Sequence, residues 1–178
     1  MAFAADVNNV YTNSGDDLVC VYPDPRAPNN PVRVETSDGN DTVVTYGGGY
    51  HQIELGPGDD IAYLNGYEEG VWGGSGSDHL WGLGSDEVFL HGDSGTDMLQ
   101  GSPAADHLWG GDDGDLLIGA GGNDILDGEG GNDNIQGGAG FDLLDGGANN
   151  DTCTDTFGTT TFISCETTVN AGPGGVTT

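Results

Sequence analysis

Residues 119–145 read GAGGNDILD GEGGNDNIQ GGAGFDLLD when cut every nine residues. Each block carries an aspartate sixth and an aliphatic residue eighth, behind a glycine-rich run unsuited to an ordinary helix or strand. Backward from 119 the blocks continue as GGDDGDLLI at 110, GSPAADHLW at 101 and GDSGTDMLQ at 92. A ten-residue GLGSDEVFLH at 82 keeps the period, read as one residue lost before its aspartate and two gained after it. Earlier blocks are GGSGSDHLW at 73, LNGYEEGVW at 64, LGPGDDIAY at 55, YGGGYHQIE at 46 and the ten-residue TSDGNDTVVT at 36; GGANNDTCT at 146 comes last. NSGDDLV at 13–19 is one further, isolated copy before the proline-rich PDPRAPNNP of 23–31.

Repeats of this length settle architecture. In each block the first six residues need positive φ and close backbone approach, which glycine supplies. The last three form a short strand whose central side chain points opposite to its neighbours. Eighth positions then form two apolar columns: Ala62, Leu80, Leu99, Leu117, Ile135 and Cys153 in one, Ile53, Val71, Val88, Leu108, Leu126 and Leu144 in the other. Two facing columns predict a thin core between two parallel sheets, with 18 residues per coil and coils stacked at about 4.8 Å. The sixth positions fall into two files, Asp41, Asp60, Asp78, Asp97, Asp115, Asp133 and Asp151 on one edge and Asp86, Asp106, Asp124 and Asp142 on the other.

Stacked carboxylates repel one another, and turn carbonyls point into the same gaps. A hard divalent cation relieves both, and the oxygen-only donor set predicts several Ca²⁺ ions rather than Mg²⁺ or a softer metal. The eleven aspartates are the expected ligands. Asp113 and Asn149 take fourth-position glycines, and Ala104 and Ala105 alter another loop. At the sixth position of two early blocks stand His51, read as a hydrogen-bonded turn residue, and Glu69, for which calcium ligation stays open.

Taken together, the blocks resemble the nonapeptide repeat of the RTX, or hemolysin-type, calcium-binding β-roll family, G-G-x-G-x-D-x-U-x. GGSGSDHLW and GGAGFDLLD match every fixed position; GDSGTDMLQ, GAGGNDILD and GEGGNDNIQ miss only the second glycine. The resemblance is strong over 73–154 and weaker back to 36. It implies an all-β, right-handed parallel β-roll with calcium between loops, in an extracellular or cell-surface bacterial protein that folds after export. The expected organisation is an N-terminal cap over 1–35, degenerate repeats over 36–72, regular repeats over 73–154, and a C-terminal cap and tail over 155–178.

Composition agrees. Thirty acidic residues oppose two basic ones, for a formal charge of −28. Such self-repulsion calls for cations and argues against nucleic acid as a partner. No apolar run approaches the roughly 20 residues of a membrane span. The start, MAFAADVNN, lacks the basic and apolar regions of a complete signal peptide, and AFA before Ala5 has the small-residue form of a cleavage site. Cys153 and Cys165 are read as a disulfide closing a small loop, and Cys20 as an inert core residue. Arg26 and Arg33 are expected to pair locally with acids.

Catalysis is not expected: the repeat explains the acids, and His79 and His107 fall on opposite sheets. Outward strand positions gather Tyr63 and Trp81 with Ile61, Met98, Leu116 and Ile118 on one sheet, and Trp72, Phe89 and Trp109 with Ile125 and Leu143 on the other. Three readings of these patches stay open: self-association or partner packing, carbohydrate contact in an adhesive module, and cover by the chain itself. The module's role is expected to be structural, with service to a larger secreted enzyme as a further alternative.

Overall fold

The computed structural model describes residues 2–3, 9–22, 30–84, 86–155, 157–158, 160–170 and 176–177. Among them every regular element is a β-strand, and every strand pairing is parallel. Successive strands alternate between two sheets, so that residues 61–64, 79–82, 98–100 and 116–121 neighbour one another in the first, and 69–75, 88–94, 107–112 and 125–130 in the second. This is the expected two-sheet solenoid. Partners in adjacent coils are 18 residues apart through most of the array, as in Leu99↔Leu117, Leu117↔Ile135 and Leu108↔Leu126.

The eighth-position side chains form the core, because on a strand only alternate residues face inward. Leu80, Leu99, Leu117 and Ile135 from the first sheet and Val71, Leu108, Leu126 and Leu144 from the second are all fully buried. The column extends beyond the dense repeats, through Val43 and Val19 at one end and Phe162 at the other. The segment assigned to an N-terminal cap thus contributes strands to both sheets, with Val10↔Val34 and Val19↔Val43 in register. Arg26 and most of the proline-rich stretch lie outside the described residues. Arg33 pairs with Glu35 at 2.7 Å and Glu54 at 2.8 Å, as expected.

The second column needs one correction. Val88 does not occupy the eighth position: Leu90 does, paired with Val71 and Leu108, while Val88 lies opposite Glu69 at the sixth. Gly82 keeps the first position, opposite Leu64, and Gly84 lies against Gly66, so the ten-residue block carries its extra residue inside the turn, between Gly84 and Val88. Cys20 also differs from expectation. Val19 and Val21 point into the core and Cys20 between them points outward, half-buried. Cys153 and Cys165 are joined by a disulfide with Cα atoms 5.9 Å apart, tying a core rung to the segment after the strand at 161–163.

Glycine is indispensable where loops stack. At Gly76, with φ of +134°, an added Cβ would collide with the carbonyl oxygen of Gly58 one coil earlier. Core and surface rungs should separate cleanly on mutation. In calcium, Leu117→Ala is expected to cost about 2–5 kcal/mol by urea unfolding. Gln136→Ala, on an outward half-buried position, should cost under about 1 kcal/mol.

Candidate metal centres along two loop edges

The sixth-position carboxylates are held by the turn that precedes each strand, and the ladder places them one coil apart. Asp115 and Asp133 lie in direct register, the Asp115 backbone N–H donating to Asp133 Oδ1 at 2.8 Å. The same bond recurs along the first edge through Asp41, Asp60, Asp78, Asp97, Asp115, Asp133 and Asp151, at 2.6–2.9 Å. On the second edge it joins Asp106 to Asp124 and Asp124 to Asp142, at 2.9 and 3.0 Å. All ten of these aspartates are at most 3% exposed.

One oxygen of each carboxylate is thereby satisfied, and the other is generally not. Oδ2 of Asp41, Asp60, Asp78, Asp97, Asp115, Asp133 and Asp151 is buried without a hydrogen-bond partner, as is Oδ2 of Asp124 and Asp142. A buried unpaired polar atom is costly, and a buried unpaired charge more so. Each Oδ2 in the dense repeats lies against the first glycine of its own block. A Cβ on Gly110 would meet Asp115 Oδ2 at 2.5 Å and the carbonyl oxygen of Gly128 at 2.8 Å. The neighbourhood is therefore rich in oxygen acceptors and lacks a donor for Oδ2.

Burial raises the carboxyl pKa values accordingly. Asp124 is pushed up to about 8, by burial first, against the opposing pull of the Asp106 N–H and with added repulsion from Asp142 and Asp106. Asp78 and Asp115 are raised to about 7, and Asp60, Asp97 and Asp133 to about 6, with burial the largest cause each time.

The predicted ligands are not equivalent. Asp86 is not in the file: Val88 holds the sixth position of that coil, and Asp86 sits half-exposed two residues earlier in the turn. Asp106 is in the file but already satisfied, since Oδ2 accepts from the Ser102 N–H at 2.6 Å and Oδ1 from the Ser102 hydroxyl and the Val88 N–H. The altered SPAAD loop supplies internally what other loops leave open. Asp41 and Asp60 keep an unpaired oxygen, but Thr36 and Leu55 stand where the later blocks have their first glycine. Asp113 and Asn149 do adopt the positive φ that their loops require, at 74° and 90°.

Other members of the site were not singled out in the sequence. Asp17 and Glu166 extend the first file at its two ends, through Asp17 N–H to Asp41 Oδ1 and Asp151 N–H to Glu166 Oε2. A parallel ladder runs along fifth positions, where Asn40, Asp59, Asn123 and Asn132 each accept from a backbone N–H of the next coil. The recurrence of Asn, Asp or Ser at that position was its only signal. Asp93, Asp112 and Glu129 line an outer groove of about 590 Å³ on the first edge.

The donor set fits a hard divalent cation. Among the described residues no three His, Cys, Asp or Glu side chains converge, so an ion here must draw most of its ligands from stacked backbone carbonyls. That is chemistry suited to Ca²⁺ with its six to eight oxygens. The residues that meet every condition are Asp78, Asp97, Asp115, Asp133 and Asp151 on one edge and Asp124 and Asp142 on the other.

The aromatic ladder also shifts with the corrected register. Trp72, His91 and Trp109 stack face to face, with centroids 5.3 and 4.3 Å apart, and Phe89 moves to the adjacent column beside His107. Tyr63 and Trp81 stack at 5.0 Å on the other sheet.

Four copies of the RTX calcium-binding nonapeptide repeat match residues 71–90, 91–126 and 127–154. These spans contain all seven of the aspartates just named. No curated protein and no solved structure matches the chain.

Acid should substitute in part for metal. The folded carboxyls bind protons more tightly than the unfolded value of about 4, so their contribution to stability is fully present below about pH 4 and is lost as pH rises through about 6 to 8. In chelator, strand circular dichroism is therefore expected to weaken from pH 4 to pH 8, and Asp115→Asn to strengthen it at pH 8.

Proposed function

Because residues 71–154 match the RTX calcium-binding nonapeptide repeat, we propose that this chain is an extracellular scaffold or interaction module whose folding is driven by Ca²⁺. The observation that carries this reading is the file of buried Oδ2 atoms without donors. Such a file cannot stay ionised and unpaired in a stable protein, so ion binding and folding are one equilibrium. Calcium supplies the positive charge. The chain's part is to stack the loops, hold each Oδ1 on a backbone N–H, and exclude water around Oδ2.

Extracellular surroundings are supported by two features. Calcium is abundant outside cells, a disulfide joins Cys153 to Cys165, and disulfides persist in oxidising compartments. A structural rather than catalytic role is supported by the acids, most of which are absorbed by the repeat. A disordered state in chelator follows from the charge of −28, which leaves the metal-free chain strongly self-repelling.

The outward aromatic columns favour packing against an apolar partner surface over sugar stacking. Within each stack one face of every Tyr and Trp ring, and both faces of His91, is taken up by a neighbouring ring, which leaves fewer faces for a sugar.

Calcium added to the chelated protein at pH 7.5 is expected to produce cooperative strand circular dichroism together with proton release. Asp115→Asn should raise the calcium midpoint by about tenfold, a loss near 1.4 kcal/mol, whereas Asp86→Asn should leave it unchanged. A spectrum indifferent to chelation and to added calcium would sink the proposal.

A further inference from the structure

We infer that the second edge carries, ahead of its calcium file, a separate site for a borderline transition ion of the Zn²⁺ class, with His51 and Glu69 as its fixed ligands. The two stand at sixth positions of adjacent coils: Gln52 pairs with Gly70, so His51 and Glu69 face each other one strand spacing apart. Both are buried, His51 at 2% and Glu69 at 0% exposure. Neither His51 ring nitrogen nor Glu69 Oε1 meets hydrogen-bond geometry with a partner, and the nearby Tyr50 backbone and Thr45 side chain act on them electrostatically, each favouring the charged form. Glu69 Oε2 is fixed by the Gly66 N–H at 2.8 Å, which holds the carboxylate in place.

These are two buried side chains in contiguous positions, each with ligating atoms outside hydrogen-bond geometry, and the pair differs from the rest of the file in donor type. An imidazole nitrogen is a poor ligand for Ca²⁺ and a good one for Zn²⁺, Co²⁺ or Ni²⁺. The coil that follows has Val88 at the sixth position, which separates this pair from Asp106 and the oxygen-only sites beyond. The pair also lies beside an opening. A cavity of about 350 Å³ is lined by Gly49, Tyr50, Tyr67, Glu68 and Asp86. The His51 ring packs on Gly49, where a Cβ would sit 2.7 Å from its Cε1 and 3.4 Å from its Nε2. Glu69 follows Glu68 directly. Among the described residues no three ligating side chains already meet at a point, so the site closes when Glu68 or Asp86 turns inward from the mouth to supply a third ligand.

Co²⁺ serves as the probe, added to the protein in saturating calcium. The wild-type chain is expected to bind one equivalent with the intense visible absorption of a low-coordinate centre containing nitrogen, and Zn²⁺ should bleach it. Glu69→Gln should weaken binding by about 10-fold or more and His51→Gln should abolish it. His79→Asn with His107→Asn, on outward strand positions, should leave it intact. A second measurement needs no variant: substoichiometric Co²⁺ should broaden the imidazole NMR signals of one histidine out of four. Absence of the band in the wild type, its persistence in His51→Gln, or uniform broadening of all four histidines would overturn the inference. Because calcium-induced strand formation is read independently by circular dichroism, failure of this site is distinguishable from failure of the calcium reading.

Discussion

Everything in this molecule turns on a carboxylate that can satisfy only one of its oxygens within the fold. Oδ1 of a sixth-position aspartate accepts the N–H of the sixth-position residue one coil earlier, an aspartate everywhere but at Val88, which fixes the distance between loops. In the dense repeats, Asp106 apart, the same constraint forces Oδ2 into a buried space beside a glycine, where no donor reaches it. Stability and metal dependence are therefore two consequences of one arrangement. The apolar core is only a thin double column, and the edges decide whether the column can be assembled.

The fold was legible in the sequence because strand period, turn glycine and aspartate all point to the same register, and consistent signals at several levels are what specify a structure. It failed locally where that agreement failed. In the block at 82 the aspartate and the hydrophobic run are out of phase by two, and the apolar, buried Val88 could pass for the eighth position although it holds the sixth. Reading the aspartate as the anchor put Asp86 in the file; the ladder instead follows Leu90, because burying the larger continuous column outweighs placing one carboxylate. In this register His91, and not Phe89, stands in the tryptophan column.

Within the candidate site the sequence identified which residues line the edges but not which remain unsatisfied. Asp106 and Asp124 look alike in their blocks. Only the position of Ser102, folded back by its SPAAD loop, makes the first self-sufficient and leaves the second in need of a cation. Likewise Asp41 and Asp60 share the ladder of the later aspartates without the glycine beside it. Hydrogen-bond saturation depends on loop conformation at the level of single atoms, and a repeat pattern does not report it.

The two side-chain ladders also give the stack a direction. Sixth-position oxygens reach toward the preceding coil, and fifth-position oxygens toward the following one. One face of any coil consequently offers sixth-position backbone donors and the opposite face the carboxylates that receive them. Two such solenoids could be joined end to end in series only head-to-tail, since abutting like faces would set carboxylate against carboxylate at one end or sixth-position N–H against N–H at the other, and any filament built on these edges would inherit that polarity.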